Sequence, residues 1–428
     1  MERENNKKKN EDKSAIIAEV LDKVIDKISN EEFTIQRNDQ RQKLERQIFH
    51  QKVKIHTCVR PCVYPGCTKK SIKRSHSVQK NNVLKNISEE NHVYKPEVDM
   101  THEEPEMIMK RIGINKASTF PGFCEEHERL FEVFETKGSI ELEKEALLQS
   151  FRTICREKVF RENEREVVKQ QKIAYKRELQ KLAKQYVINE LARHDLTVGS
   201  DRIKFSHIND EFLNFLDVKI NFLSKSITEL NEYMITSLSD NDAAILSYEL
   251  NIDYSFPVCI AGFGNQKYNF YEEERNVLLF LNVIPYNNRT TIICYTLMKH
   301  KKIFESTIRY YSQNILTILN FIESFMVNSS DHWFIRPSVW DSLPKIKREY
   351  ILQCQLHTNE SFLEEIPYSI FDDTRIFFID AFMNSRNGVA LTDIEENFLK
   401  SEKSKLTKNI TLQPQHEILK GMVDNFNQ

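Results

Sequence analysis

Apolar positions along this chain recur with two different periods, and the change falls near residue 250. From Ser14 to Ile28, Ile17, Val20, Leu21, Val24 and Ile28 follow helical spacing. A second, strongly charged helical stretch is expected over about 38–49. Residues 1–13 are polar and expected to fray. The two helices read either as a small cap on the segment that follows or as a partner-binding arm. From Ser139 to Val198 there is no Gly and no Pro. Leu147, Phe151, Ile154, Val167, Leu179, Leu182, Tyr186 and Leu191 form a helical stripe there. Unbroken, that helix would be about 90 Å long. The stripe thins at Arg161–Glu166, which predicts a break. After Gly199 a second stripe follows, with Ile208, Phe212, Phe215, Leu216, Leu223, Ile227, Leu230 and Met234. Two such helices make an antiparallel hairpin or coiled coil, serving as a structural or dimerisation arm or as a nucleic-acid clamp.

Beyond residue 250 the pattern is that of strands. Val277–Ile284 and Thr290–Leu297 flank the turn Pro285-Tyr286-Asn287-Asn288-Arg289, a β-hairpin. Both strands are apolar on both faces, so the hairpin must be covered. A helix over 303–327 is the expected cover, with Ile308, Tyr311, Ile315, Leu319, Ile322 and Met326 inward. A further helix is expected after Pro337, and residues 375–382 are expected as a strand. Trp333, Phe334 and Trp340 read as core or as the wall of a pocket.

The fold class this predicts is α+β. N-terminal helices occupy 1–51, a metal-binding module 52–137, a helical hairpin 138–242, an α+β domain 243–400 and a polar tail 401–428. The formal net charge of -2 over 428 residues excludes a chain that binds nucleic acid by bulk electrostatics, so such a role needs a local basic patch. The N-terminus carries no apolar segment after its charges, so no signal peptide is expected. The apolar run Asn276–Tyr286 is too short to cross a bilayer. A cytoplasmic protein is the expectation, where thiols stay reduced and clustered cysteines bind metal.

Four of the eight cysteines, at 58, 62, 67 and 124, fall within Cys58–His127. Cys62 and Cys67 flank Val63-Tyr64-Pro65-Gly66, and Cys124 and His127 flank two glutamates at an expected helix start. A knuckle supplying two thiolates and a first helical turn supplying two more ligands is how a treble-clef zinc site is built. Cys62, Cys67, Cys124 and His127 are the expected ligands of a structural zinc, with Cys58 a spare that could replace one of them. Between the pairs lies a basic run: Lys69, Lys70, Lys73, Arg74 and Lys80, with His76 in its midst. These five cations could contact phosphate. His76 reads either as a general base against a phosphodiester, working with a second divalent ion such as Mg2+ or Mn2+, or as a structural histidine. His92 and His102 are weaker candidates for a metal or shuttle role. Ser77 is expected to cap a helix carrying Val78, Leu84 and Ile87, and residues 89–110 read as a loop. Lys116–Phe123 reads as an anion site or as the turn that aims the second ligand pair. Ala261-Gly262-Phe263-Gly264 is too short for a phosphate loop.

At these residues the chain resembles a family of large, little-characterised bacterial proteins with an HNH-like treble-clef finger. The resemblance rests on Cys62 and Cys67, Ser75-His76-Ser77-Val78-Gln79, His92-Val93, Lys116 to His127, and Pro337, Trp340 and Leu343. It implies zinc, action on DNA or RNA, and a nuclease or partner protein in anti-phage defence, with His76 as general base. The chain departs from HNH nucleases in the spacing from His76 to Cys124, about 48 residues, and in showing no clear second metal-ligand histidine on the finger helix. Asn81 or Asn82 could take the place of the motif's middle asparagine. The alternative the residues leave open is a non-enzymatic scaffold or sensor with a structural zinc finger and a helical arm that makes a homo-oligomer.

Overall fold

A computed structural model describes residues 2–29, 48, 50–99, 106–205, 210–238, 245–270, 273–356, 365–386 and 388–408. Helices and strands are mixed, and the chain forms two compact units, Met1–Cys58 with Phe160–Glu229, and Val59–Val159 with Leu230–Gln428.

The helix Glu143–Arg193 is continuous, about 77 Å at 1.5 Å per residue. The break predicted at Arg161–Glu166 does not occur. That stretch has few apolar residues but also no Gly or Pro, and Arg161 pairs with Glu164 one turn on. Helix continuity needs propensity, whereas the stripe only reports what is covered.

Within the first unit, the part of the helix Glu211–Thr236 up to Glu229 runs antiparallel to the long helix. Tyr175 meets Phe212 with ring centroids 4.8 Å apart, Lys172 pairs with Asp217, and Arg165 Nη1 lies 3.5 Å from Ser224 Oγ. Val168, Leu216 and Leu223 form the buried seam. Phe215, expected on that seam, is exposed, and Ile208 lies outside the described residues. The N-terminal helix begins at Glu2, with no frayed lead, and ends at Ser29. It buries Val20, Val24 and Ile28 against Leu179, Ala183, Val187 and Leu191 of the long helix. It therefore packs on the helical arm. Most of the second helix expected over 38–49 lies outside the described residues.

The second unit is built on a seven-stranded sheet. Its strands are β2 (His92–Asp99), β3 (Glu106–Gly113), β5 (Ile245–Ile252), β6 (Val258–Phe270), β7 (Glu273–Pro285), β8 (Thr290–Leu297) and β9 (Trp333–Ile335). The order is β3-β2-β9-β6-β7-β8-β5, with every pair antiparallel. The hairpin expected at 277–297 is β7 and β8, with Phe280 opposite Tyr295 and the turn closed by Tyr286 N–H to Arg289 O at 2.8 Å. Its two-sided apolarity has a direct cause. Leu278, Phe280 and Ile284 point into one core with Val78, Phe123, Phe131 and Phe151. Leu279, Leu281 and Val283 point into the other, with Leu319, Ile322, Phe325 and Met326. The sheet is thus covered on one face by helices and on the other by the cysteine-bearing segment.

Several local expectations do not hold. Residues 92–99 and 106–110, expected as part of a loop, are strands: β2 and β3 pair from His92↔Gly113 to Asp99↔Glu106, and 100–105 lie outside the described residues. Pro96 is tolerated because it lies past Tyr94↔Ile335, where β2 has left β9 and only β3 remains beside it. The expected helix over 303–327 is two, Lys301–Tyr311 and Ile315–Asn328. Asn314 restarts the second through a capping box with Thr317. Residues 375–382 lie in the helix Asp372–Ser385, where Arg375 and Ile379 are buried one turn apart. The tail is helical over Asp393–Thr407, and 409–428 lie outside the described residues. Trp333, Phe334 and Trp340 are core. Among the described residues no helix is long and apolar enough to cross a membrane.

Candidate metal centre

The knuckle is shaped by its own backbone. Pro61 bridges Lys70, Cys62 N–H donates to Lys69 O at 2.8 Å, and Cys67 N–H to Tyr64 O at 3.1 Å. The loop closes through Gly66 at φ +75°, a left-handed position open to glycine at little cost. A second strand of chain is stitched alongside: Val63 N–H reaches Gly122 O at 2.9 Å and Ile72 N–H reaches Phe123 O at 2.7 Å. The short strands β1 (Ser75–His76) and β4 (Thr119–Phe120) pair antiparallel, and Ser75 Oγ accepts from Phe123 N–H at 3.0 Å. Lys116–Phe123 is therefore the turn and strand that deliver Cys124. That residue caps the helical turn Glu125–Glu128, which places His127 beside it. A 3-10 turn and another helical turn continue to Glu135, burying Phe131 and Phe134 in the core under the sheet.

The four expected ligands come together. Their ligand atoms all lie within 4.8 Å of one another. Cys62 Sγ is 3.5 Å from His127 Nδ1, Cys124 Sγ is 3.3 Å from the same nitrogen, and Cys67 Sγ is 3.9 Å from Cys124 Sγ. Bond lengths of about 2.3 Å to sulfur and 2.0 Å to nitrogen give tetrahedral edges of roughly 3.5–3.8 Å, so the set fits one tetrahedral ion. The His127 ring stacks on Tyr64 at 3.9 Å and 7°, which fixes the plane in which Nδ1 points. Burial pushes the Cys62 thiol up to about 11. Burial acts the same way on Cys124, but the amide of His127 and the neighbouring thiols bring it below its ordinary value. Cys58 is exposed and is not one of the four.

The other sequence candidates are dispersed. His76 lies on β1, half-buried, with Nδ1 3.2 Å from Ser118 Oγ and its amide 3.4 Å from Glu128 Oε1. Burial, then the cations of Arg152 and Lys80, hold its imidazole down to about 4. Asn82 donates to Glu135 O at 3.0 Å. His92 Nδ1 lies 2.7 Å from Glu90 O, and His102 lies outside the described residues. Lys69, Lys70, Lys73 and Arg74 are exposed and Lys80 is half-buried. Lys69 is bound to Glu126. A groove beside the cluster is lined by Lys69, Lys70, Ile72, Cys124, Glu125, Glu126 and Arg129, without His76. Ser77 caps no helix: its Oγ lies 2.7 Å from His332 Nε2, while Gln79 precedes a π-turn at Lys80–Leu84.

Sequence reasoning missed Arg152. It is 1% exposed, and its guanidinium lies 4.3 Å from the centre of the Phe131 ring. It donates to Glu128 and Glu135 on either side of that ring, so the long helix holds the helical turns over 125–135. An arginine inside a charged helix gives no local sign of this, because its partners are 24 and 17 positions away.

No protein-family model matches this chain, and no curated protein or solved structure matches it.

Proposed function

We propose that Cys62, Cys67, Cys124 and His127 hold a zinc ion in a treble-clef-like finger, and that the protein is a scaffold or sensor organised by that staple. The observation that carries this is the closed ligand set. Three sulfurs and one imidazole nitrogen lie within 4.8 Å of one another, leaving no position for water or substrate on a four-coordinate ion. The finger's apolar residues share a core with β7 and β8, so the staple also secures one cover of the sheet. None of the eight cysteines is in a disulfide, which suits a reducing cytoplasm. Elemental analysis should find about one zinc per chain, lost together with thermal stability in Cys124→Ser. A protein that keeps its melting temperature without metal overturns the reading.

A second reading, an HNH-like nuclease acting on DNA or RNA in anti-phage defence, is favoured by one observation. His76 is neutral near pH 7 on the strand beside the knuckle, and the neighbouring Lys73 and Arg74 are exposed. Against it, a base held near 4 is weak, and among the described residues no cluster of three metal-binding groups includes His76. Cleavage assays with Mg2+ or Mn2+ decide between the two. Activity on DNA or RNA that disappears in His76→Ala would displace the scaffold reading.

A further inference from the structure

The helix Glu211–Thr236 has two apolar faces. One is the seam against the long helix. The other carries Phe215, Val218 and Phe222, which are 47%, 58% and 53% exposed. They sit three and four residues apart, so they form a second stripe that the hairpin itself leaves uncovered. Phe215 is not loose on the surface: it stacks on Phe212, which in turn meets Tyr175 within the hairpin. The ends of the stripe are charged with opposite sign, Glu211 one heptad before Val218 and Lys225 one heptad after it, both exposed.

This arrangement is self-complementary. Turn a second copy of the helix antiparallel about a two-fold axis at Val218. Glu211 then lies beside Lys225 of the partner subunit, because both are seven residues from the axis. Phe215 lies beside the partner's Phe222, since three and four residues from the axis differ by one rise of about 1.5 Å. A two-fold interface repeats each contact twice, so one chain supplies both halves of two ion pairs and both halves of the apolar strip. A like-directed pairing would set Glu211 against Glu211 and has no such match.

We infer that the stripe Phe215–Val218–Phe222, flanked by Glu211 and Lys225, is the surface through which two copies of this chain associate antiparallel. The inference rests on the scaffold reading and gives its arm a partner. The strip is shorter than a standard stable interface, so the dimer dissociates in the micromolar range.

Sedimentation of the full chain, loaded with zinc, tests this over a range of micromolar concentrations. The expected result is a shift from 50.7 kDa to twice that mass as concentration rises. Lys225→Glu should weaken association by about tenfold or more, and the double variant Glu211→Lys with Lys225→Glu should restore it. Val218→Asp should abolish it with the far-ultraviolet circular dichroism unchanged. A chain that stays monomeric at every concentration overturns the inference, as does a dimer indifferent to Lys225→Glu or a double swap that restores nothing. A monomer that needs its zinc to stay folded overturns the pairing alone. A dimer that cleaves nucleic acid through His76 overturns the scaffold reading alone.

Discussion

Arg152 donates from Nη2 to Oε1 of Glu128 at 2.8 Å, joining the long helix to the residue that follows His127. Its Nη1 binds Glu135 at 2.6 Å, so one buried cation balances two carboxylates of the helical turns that follow Cys124. Arg152→Met keeps the bulk and removes the charge, leaving Glu128 and Glu135 without their cation. Breaking a buried pair from one side costs about 3–5 kcal/mol. Both carboxylates are partly open to solvent, at 22% and 25%, so the lower end applies. Urea unfolding of the zinc-loaded protein should show about 3 kcal/mol lost. A loss below about 1 kcal/mol would mean that these helical turns are held by their apolar contacts alone.

His76 makes stability depend on pH in a stated direction. Its folded-state value of about 4 lies below the ordinary 6.5, so between those limits the unfolded chain binds more protons than the folded one. Stability from this group is full above pH 6.5 and is lost as pH falls toward 4. The loss by pH 4 is on the order of 3 kcal/mol, because each tenfold change in proton affinity is worth about 1.4 kcal/mol. His300, about 4, and His332, well below its ordinary value, act in the same direction. Acid also strips metal from thiolates, so the useful quantity is the difference between wild type and His76→Gln. The variant should lose less stability between pH 6.5 and 4. Identical curves would place the His76 imidazole in water.

How far these relationships could be read beforehand depends on distance along the chain. The cluster of Cys62, Cys67, Cys124 and His127 was legible because each pair is local: a knuckle closes over four residues, and a helix cap sets Cys124 three positions before His127. The hairpin of β7 and β8 was legible for the same reason. The strand pair β2 and β3 was not, because its charged residues face outward and only Val93, Pro96 and Met107 are buried. The helix at 375–382 was misread as a strand because its apolar run includes Phe377 and Phe382, which stay exposed, while the residue it buries most completely is Arg375. A buried arginine reverses the pattern on which periodicity depends. Its partners, at 320, 323, 369 and 402, can be found only in three dimensions.

Gly262 in β6 faces Ser330. A Cβ there would lie 2.1 Å from Ser330 Oγ and 3.0 Å from Ser330 Cβ. Gly262→Ala should therefore cost about 1–3 kcal/mol through overpacking. Adding Ser330→Gly should recover part of that. It removes both clashing atoms but also the hydroxyl that accepts from His332 N–H at 3.1 Å. The pair of variants, measured by thermal unfolding, separates contact from strand propensity: if the second substitution recovers nothing, the cost belongs to β6 itself.

Arg375 is the clearest case of a charge placed where only pairing permits it. It is fully buried between Glu323 and Glu402, which are 1% and 3% exposed. It also donates to Ser369 Oγ at 2.9 Å and Asn320 Oδ1 at 2.8 Å, and Lys405 balances Glu402 at 3.1 Å. Arg375→Met should lose about 3–5 kcal/mol, since two carboxylates then stay buried with a single cation between them. The two acids should not respond alike. Glu323 also accepts from the amides of Ile370 at 2.8 Å and Phe371 at 3.0 Å, and so holds the start of the helix Asp372–Ser385. Glu402 has only its cations. Glu323→Leu should therefore destabilise more than Glu402→Leu, and the double variant Arg375→Met with Glu402→Leu should lose less than the sum of its parts, because each removal relieves the other's unpaired charge. Strict additivity in that cycle would mean that Arg375 and Glu402 are each solvated separately, and the helix Asp393–Thr407 would then have to be held by Leu399 and its apolar neighbours.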